Sequence, residues 1–576
     1  MLNKIINIFL PKESPQRKLV KKILVIAKIK NPYLGGYYNL WMNQQRLQPP
    51  LREVDPEVEG ANVLISIVVP VYNPAEKHFA ELIYSVMAQS YPNWELILTD
   101  ASTDTAAQQR TADYALRDKR IKVFSNNTKG ISNNTNHGIK QVKGDYVVFC
   151  DNDDVLDPFA LYEFVKVIIS EKADFIYSDE DKISDDSEVY FDPHYKPDWS
   201  PDLFTHVNYV NHLSAIKRTV LDEVGYLDPK KDGAQDYDLM LRVTDQDVKI
   251  VHIPKVLYHW RSTKGSTAQD FGSKKNVTDA GVSALSEHFE RKGVDVSVTS
   301  QHNRPGFYDL AFTPYKKIAV IVEPFASEAV LNLFTKVLIA RTDTTADIDL
   351  IVPFASTMNV TVPKNIKITH LENTASYLRD ALSKAGGEVV VSFSQPYLPR
   401  SKQWPQTLTS VLRQGHIKAV APVVIQEDGT VQDCGLVYNA DHTLARLFKG
   451  QSATNNQTFF GNTSWVRNVD GLGGVVATRK KELLAFVDTI DENQRLDKVT
   501  LFTLNPEQNP AFNTIYTPEV FDANSIEVMP HSWSSAHSYF NTNLTESLSG
   551  GYILYSPEST IINILMRLAE REGIPL

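Results

Sequence analysis

Three carboxylates lie within four residues, directly after a short apolar run of the sequence. The run is Tyr146–Cys150, and Asp151, Asp153 and Asp154 follow it. Such a run is typical of a buried strand in a parallel sheet, although its length alone does not exclude a helix. Because crowded carboxylates repel one another, the pattern predicts a site for a hard divalent cation shared with substrate phosphates. An isolated Asp-x-Asp is more often a solvated turn, so the neighbouring segments decide.

Two neighbouring segments are predicted to bring polar residues to the same place. Leu64–Asn73 is predicted as a buried strand that ends at Asn73, and Trp94–Asp100 as a second strand that ends at Asp100. Strands that alternate with helices indicate a parallel sheet, so Asn73, Asp100 and Asp151 are expected to line one edge. No G-x-G-x-x-G or G-x-x-x-x-G-K-[ST] motif is present, which leaves the phosphates to the cation. The helical patterns cover about residues 75–90, 105–118 and 131–142.

The composition is that of a globular protein with more than one domain. A chain of 576 residues exceeds a single core, and its net charge of −10 argues against a nucleic-acid partner. The two cysteines, Cys150 and Cys434, lie in strand-like runs, which fits a reducing compartment without disulfides. No signal peptide and no apolar run of transmembrane length is recognised.

The amino-terminal segment 1–30 is basic and apolar. It carries eight Lys or Arg residues against one acid, Glu13. Such a segment either lies on an anionic membrane surface or packs on the protein with its basic face in solvent. Residues 31–60 contain four prolines and are predicted to form a linker.

The order of several motifs resembles family-2 glycosyltransferases of the GT-A fold. The resemblance begins with Ile67–Asn73, Asp100–Asp104 and Asp151–Asp153. Each piece alone is weak, whereas this order across about 200 residues is specific. It is most similar to bacterial enzymes that build rhamnose-containing and other surface polysaccharides. The remaining pieces are Tyr177–Lys182, His194–Trp199, Gly233–Leu239 and Leu257–Arg261.

The resemblance implies how a nucleoside diphosphate sugar is bound. Asp100 would accept a hydrogen bond from the imide N–H of uracil or thymine, so UDP- and dTDP-sugars, dTDP-rhamnose among them, both suit it. Asp104 would help to hold that turn. Asp151 and Asp153 would hold Mg²⁺ or Mn²⁺ against the diphosphate. Asp154 is expected to be a helix N-cap. The implied nucleotide-sugar-binding residues are Pro70, Tyr72, Asn73, Asp100, Asp104, Asp151, Arg261 and Lys264.

An inverting transferase needs a base that takes the proton of the acceptor hydroxyl. The resemblance makes Asp236 the candidate, with an N-cap of the helix from Leu239 as its structural alternative. Asp238 is interpreted as a cap or structural residue.

The acceptor and the metal shell involve further candidates. Asp179 and Glu180 follow the predicted strand Phe175–Tyr177 and could bind acceptor hydroxyls, with Asp179 also competing as the base. Trp199 could stack on a sugar ring, although core packing is the commoner use of tryptophan. The family pattern implies that His259 completes the metal shell, although a lone histidine is more often a structural hydrogen-bonding residue.

Residues 315–540 are similar to residues 61–300. Lys317–Val322 corresponds to the first strand, and Asp349–Thr357 aligns without a gap with Glu95–Thr103. Gly387–Tyr397 aligns with Gly144–Asp154.

The acidic residues are missing from this second copy. Phe354 replaces Asp100, and Ser394, Gln395 and Pro396 replace Asp151, Asn152 and Asp153. The sequence therefore predicts an α/β protein with two GT-A-like domains in tandem, the second degenerate. Its predicted parts are residues 1–60, a catalytic domain 61–300, a degenerate domain 315–540 and a helical tail 541–576.

The prediction is an inverting, metal-dependent glycosyltransferase in the cytoplasm, peripheral on the inner face of the cell membrane through residues 1–30. It would use a saccharide or lipid-linked saccharide acceptor, and it could form a homo-oligomer. Three alternatives stay open: a second active site in 315–540, a non-catalytic glycan-binding or scaffold protein, and a nucleotidyltransferase.

Overall fold

The fold is described from a computed structural model. The residues that it describes are 42, 55–128, 130–263, 275–301, 306–324, 327–353, 361–374, 376–399, 401–425, 431–433, 435–438, 444–446, 467–468, 472, 474–489 and 513–522. The predicted basic segment 1–30 and tail 541–576 lie outside these ranges.

The first half of the chain forms one sheet of nine strands, flanked by helices. The order is β3-β2-β1-β4-β8-β6-β9-β5, with β7 beside β6. Strands β1 to β4 are parallel, β8 runs antiparallel between β4 and β6, and β6 and β9 are again parallel. The strands are β1 Ile65–Val71, β2 Trp94–Asp100, β3 Ile121–Ser125, β4 Tyr146–Phe149, β5 Val155–Leu156, β6 Phe175–Ser184, β7 Tyr190–His194, β8 Ser214–Lys217 and β9 Ile250–Ser262.

Helix α2 illustrates how an amphipathic helix of this half buries its apolar face. In α2, Phe79, Leu82, Ile83 and Val86 recur at helical spacing and are all buried. The Asp104 carboxylate caps α3 by accepting hydrogen bonds from the backbone N–H groups at 106 and 107. The helices are α1 Pro56–Glu59, α2 Glu76–Met87, α3 Thr105–Arg117, α4 Ile131–Ile139, α5 Ala160–Glu171, α6 Pro201–Phe204, α7 Arg218–Val224, α8 Gln235–Thr244 and α9 Lys275–Arg291.

The second half repeats this topology. Its order is β14-β13-β12-β15-β22-β17-β23-β16, with β18 beside β17, and β22 is again the antiparallel insertion. The strands are β12 Lys317–Val322, β13 Asp347–Val352, β14 Ile366–His370, β15 Val389–Phe393, β16 Leu398–Pro399, β17 Ile417–Ile425, β18 Val431–Asp433, β21 Arg467–Asn468, β22 Val475–Arg479 and β23 Asn513–Asp522.

Smaller elements complete the described chain. Strands β10 and β11 form one hairpin, and β19 and β20 form another, while β21 pairs with β23. Their bounds are β10 Val296–Ser300, β11 Tyr308–Phe312, β19 Leu436–Tyr438 and β20 Leu444–Arg446, and the helices of this half are α10 Glu328–Ala340, α11 Tyr377–Lys384, α12 Trp404–Ser410 and α13 Lys480–Thr489.

The repeat extends to side chains. In the first sheet, Glu95 Oε1 accepts a hydrogen bond from the backbone N–H of Lys143, at 2.6 Å. In the second, Asp349 Oδ2 accepts one from the backbone N–H of Gly386, at 2.8 Å. These four residues occupy equivalent positions in the two copies. The predicted tandem of α/β domains is therefore confirmed by topology and by a shared polar contact.

The described residues divide into two compact units that do not follow the sequence without interruption. The first contains the residues up to Lys196 together with 210–284, and the second contains 197–209 together with most residues from Leu285 onward. The segment 197–209 therefore leaves the first unit and returns to it at Val210. Among the described residues, no helix is both long and apolar enough to cross a membrane.

Candidate active site

The carboxyl ends of β1, β2 and β4 meet at one edge of the first sheet. The register pairs Val71 with Asp100 and Val68 with Phe149, which places Asn73, Asp100 and Asp151 at this edge, as the strand pattern predicts. Asn152 Nδ2 also donates to the carbonyl of Pro70 at 3.0 Å, and this bond ties the loop after β4 to β1.

Asp151, Asp153 and Asp236 share this edge. Burial raises the pKa of Asp151, and the charge of Asp236 raises it further, against an opposing effect of His212. Burial also raises the pKa of Asp153, as does the charge of Asp151. Each carboxylate therefore opposes the ionisation of its neighbour. Two adjacent hard oxygen donors with this repulsion fit a divalent cation, whose remaining coordination positions diphosphate and water oxygens can fill.

His259, the third predicted metal ligand, is placed differently from the two carboxylates. In the described parts of the chain, no group of three or more His, Cys, Asp and Glu side chains is arranged to hold a metal ion. His259 Nδ1 hydrogen-bonds Asp181 Oδ1 at 2.6 Å, which orients the ring through a carboxylate. The proposed ligand role of His259 stays a prediction.

Asp154 does not cap a helix, contrary to expectation. It is fully buried, it accepts hydrogen bonds from the Tyr258 hydroxyl and from the backbone N–H of Arg261, and burial raises its pKa well above the usual range. The residue thus fastens β9 to the loop after β4. Helix α5 begins further along, after Phe159.

The part of the site predicted to bind the nucleotide base is held in place by hydrogen bonds of Asp100 and Asn73. Asp100 is buried, and its Oδ1 accepts the backbone N–H of Ser102 at 2.8 Å. Asn73 Oδ1 accepts the N–H groups of Thr103 and Asp104 at 2.9 and 3.0 Å. Asn73 therefore links the ends of β1 and β2, while Tyr72 is 61% exposed beside it.

Asp236 lies in the first turn of α8, where Ala234 rather than Asp236 is the N-cap. Its Oδ2 accepts a hydrogen bond from Asn211 Nδ2 at 2.5 Å. Asp238 is structural, because its Oδ2 accepts hydrogen bonds from Arg242 Nε and Nη2, one turn later.

The expected acceptor role of Asp179 and Glu180 is not supported by the structure. Strand β6 continues through both residues, and they are 0% and 3% exposed. Asp179 Oδ1 bonds His252 Nε2 at 2.9 Å and the N–H of Lys196 at 2.8 Å. Glu180 bonds His194 and the N–H of His212. Buried carboxylates need such partners, and a sugar hydroxyl would have to displace them.

Glu180 is the centre of a buried charged group. Burial alone would raise its pKa, but the charge of Lys196 and the contacts with His194 and His212 lower it below its ordinary value. Burial favours a neutral His212, yet Glu180 outweighs burial and raises the pKa of His212 to about 9, with Asp151 adding to the effect. Asn211 and His212 had no predicted role. The sequence signal that could have identified them is that these two polar residues interrupt an apolar run directly before β8.

Arg261 also departs from its expected phosphate contact. The side chain is 0% exposed, and its guanidinium donates to the carbonyls of Asp153 and Ser184, to Ser187 Oγ and to Glu81 Oε2. The arginine is therefore a structural tie between β9, the loop after β4 and α2. Lys264 lies outside the described residues.

Trp199 packs against other aromatic rings of the second unit, which agrees with the core-packing alternative. The ring packs against Phe204 at 5.1 Å and Tyr209 at 6.4 Å between centroids. Its predicted acceptor contact stays a prediction.

The corresponding edge of the second sheet shows different chemistry in its described part. The backbone N–H of Ser394 donates to the carbonyl of Gly474 at 2.9 Å. A Cβ on Gly474 would lie 2.3 Å from the Tyr397 ring, so this ring closely covers the backbone there. Phe354 lies outside the described residues.

Part of the first unit matches a known protein family. Residues 66–225 match the family model "Glycosyl transferase family 2". The chain carries a family 2 glycosyltransferase domain. This match confirms the resemblance drawn from the motifs and the α/β fold expected with it.

Named bacterial proteins are similar to this chain. O-antigen biosynthesis protein RfbC of Myxococcus xanthus is 32% identical over 74% of this chain and 35% of its own length. The Escherichia coli enzyme WfgD, a UDP-Glc:alpha-D-GlcNAc-diphosphoundecaprenol beta-1,3-glucosyltransferase, is 30% identical over 22% of this chain and 49% of its own length. The chain thus spans half or less of the length of these relatives.

A solved structure is also similar. S. aureus TarS, residues 1–349 in complex with UDP-GlcNAc, is 21% identical, with a TM-score of 0.32 over 39% of this chain and 66% of TarS.

Replacing Arg261 distinguishes a structural role from a phosphate contact. Arg261→Met removes a fully buried guanidinium and its hydrogen bonds to the carbonyls of Asp153 and Ser184, so we expect a loss of about 3 kcal/mol in the free energy of unfolding. Urea unfolding of the full chain measures it. Arg110→Met is the control, because Arg110 forms a more exposed pair with Glu76 at 4.0 Å, and such a pair contributes less than about 1 kcal/mol. Unchanged stability with weaker nucleotide binding would restore the phosphate role.

Proposed function

We propose that the chain is an inverting, metal-dependent glycosyltransferase of bacterial cell-surface polysaccharide synthesis. It transfers a sugar from a UDP- or dTDP-sugar, with dTDP-rhamnose among the candidate donors, to a saccharide or lipid-linked saccharide. The supporting observation is the grouping of Asp151, Asp153 and Asp236 at one sheet edge. Residues 66–225, which contain the first two of these acids, match family 2. The similarity to RfbC, an O-antigen biosynthesis protein, and to WfgD, a glucosyltransferase for a diphosphoundecaprenol-linked sugar, supports the substrate class.

The donor would lie along the ends of β1, β2 and β4. Asp100 would accept the imide N–H of the base, and the loop braced by Asn73 would hold that carboxylate in place. Asp151 and Asp153 would hold Mg²⁺ or Mn²⁺, which when bound offsets the negative charge of the departing nucleoside diphosphate. These two carboxylates thereby place the sugar carbon within reach of Asp236.

Asp236 would take the proton of the acceptor hydroxyl as that oxygen attacks the anomeric carbon. The bond from the anomeric carbon to the nucleoside diphosphate breaks on the opposite face, which inverts the configuration. The hydrogen bond from Asn211 holds Oδ2 of the carboxylate during this step.

The second unit lacks the carboxylates at the aligned sequence positions, because Ser394, Gln395 and Pro396 stand in their place. This argues against a second site of the same chemistry and favours a glycan-binding, acceptor-fixing or dimerising role.

Asp153→Asn should abolish the stabilisation that Mn²⁺ and nucleotide give together, because an amide cannot replace a carboxylate toward a divalent cation. A thermal-shift panel of UDP, dTDP and their sugars, each with and without Mn²⁺, measures this and ranks the donors. Asp55→Asn is the matched control, because Asp55 caps α1 outside the proposed site and Asn also caps helices. An undiminished Mn²⁺-dependent shift in Asp153→Asn would contradict the metal role.

Asp236→Asn should keep the Mn²⁺–nucleotide shift and reduce turnover by about 100-fold or more, because only proton transfer is lost. Steady-state release of nucleoside diphosphate measures turnover. Asp238→Asn serves as a control that perturbs the same helix through its bond to Arg242. If Asp236→Asn retains turnover, the base lies elsewhere.

The basic segment 1–30 is proposed to bind an anionic membrane surface. Deleting it should reduce sedimentation with vesicles that contain phosphatidylglycerol, and raised salt should reduce binding of the full chain. Vesicles of phosphatidylcholine alone are the control. Equal sedimentation of the deleted and full chains would show that this segment is not the membrane contact.

A further inference from the structure

We infer that Asn211 is the positioning residue for the Asp236 carboxylate, and that the buried pair Lys196–Glu180 fixes the backbone that presents it. This inference rests on the proposed function, and it assigns a task to a buried group that donor binding does not use.

The amide of Asn211 is oriented at both ends. Its Nδ2 donates to Asp236 Oδ2 at 2.5 Å, and its Oδ1 accepts a hydrogen bond from Ser214 Oγ at 3.4 Å. Because an ionised carboxylate only accepts hydrogen bonds, Asp236 selects the NH₂ end of the amide, and the Ser214 hydroxyl donates to the oxygen that is left. The carboxylate in turn can no longer rotate freely about its last bond.

The backbone on each side of Asn211 is clamped by a single lysine. Lys196 Nζ donates to the carbonyl of Val210 at 3.3 Å and to that of His212 at 2.6 Å. The backbone N–H of His212 donates to Glu180 Oε2 at 2.6 Å. Asn211 therefore lies between two carbonyls held by one ammonium group.

The lysine needs a counter-charge because it is 0% exposed. Glu180 Oε1 lies 4.0 Å from Lys196 Nζ. Burial lowers the pKa of Lys196 to about 8, and Glu180 and Asp179 oppose that effect. Removing either partner would leave a buried charge uncompensated. The pair is thus explained as the support of the segment that carries Asn211, rather than as an acceptor site.

This clamp also lies where the chain leaves and re-enters the first unit. Lys196 is the last residue before the segment 197–209, and Val210 is the first after it. The bonds from Lys196 hold both ends together, which keeps Asn211 in register with α8.

The test uses the full chain with Mn²⁺ and measures nucleotide release from UDP-glucose, UDP-N-acetylglucosamine and dTDP-rhamnose. Asn211→Ala should lower kcat roughly 10- to 100-fold, because a misplaced base loses its alignment with the acceptor. The donor KM and the Mn²⁺–UDP thermal shift should stay unchanged. Asn211→Asp, equal in shape but without the N–H donor, should lower kcat at least as much.

Asn136→Ala is the matched control. Asn136 is equally half-buried and makes two hydrogen bonds to the backbone of Leu227, at 2.8 and 2.9 Å. It should lower the melting temperature without changing kcat. Retained kcat in Asn211→Ala or Asn211→Asp would overturn the inference, and so would a loss of kcat matched by a loss of the Mn²⁺–UDP shift.

A thermal cycle separates this inference from the proposed function. The melting-temperature losses of Asn211→Ala and Asp236→Ala should add to more than the loss of the double variant, because each single variant already removes the same hydrogen bond. Additive losses would overturn the contact. If the variants show this coupling but the wild-type chain releases nucleotide from none of the donors, the proposed function is overturned instead.

Discussion

The repulsion among carboxylates at one sheet edge is the constraint on which this molecule depends. Burial and the charge of Asp236 raise the pKa of Asp151, and burial and the charge of Asp151 raise the pKa of Asp153. A fold keeps such an arrangement only if surrounding contacts hold the groups in place. Here Asn152 ties the loop after β4 to β1, Arg261 ties β9 to the same loop, and Asn211 holds Asp236. His212 and Arg261 offset part of the repulsion, and a bound divalent cation would offset more of it.

Behind this edge, strand β6 carries three consecutive acids, and each is matched by histidine. Asp179 meets His252, Glu180 meets His194 and His212, and Asp181 meets His259. Successive residues of a strand face opposite sides, so this one strand supports contacts on both faces of the sheet. Charges that resembled a binding surface in the sequence are interior supports in the fold.

The sequence was sufficient for the architecture because periodicity and strand ends are local signals. The edge formed by Asn73, Asp100 and Asp151 was predictable, since parallel strands bring their carboxyl ends together. The repeat was visible in the aligned segments and recurs in the strand order. The roles of Arg261, Asp154 and Glu180 were not predictable, because burial and distant partners decide whether a charged residue binds a ligand or supports the core. Asn211 was missed because its partner lies 25 residues away, on another element.

The most direct test is to locate a bound metal ion. Crystals of the chain grown with Mn²⁺ and UDP or dTDP, and measured at the manganese absorption edge, should show an anomalous peak beside the carboxylates of Asp151 and Asp153. An account based on paired acids at this edge requires that peak together with nucleotide density near Asp100. Ordered nucleotide elsewhere, or a manganese peak away from these two carboxylates, would contradict it.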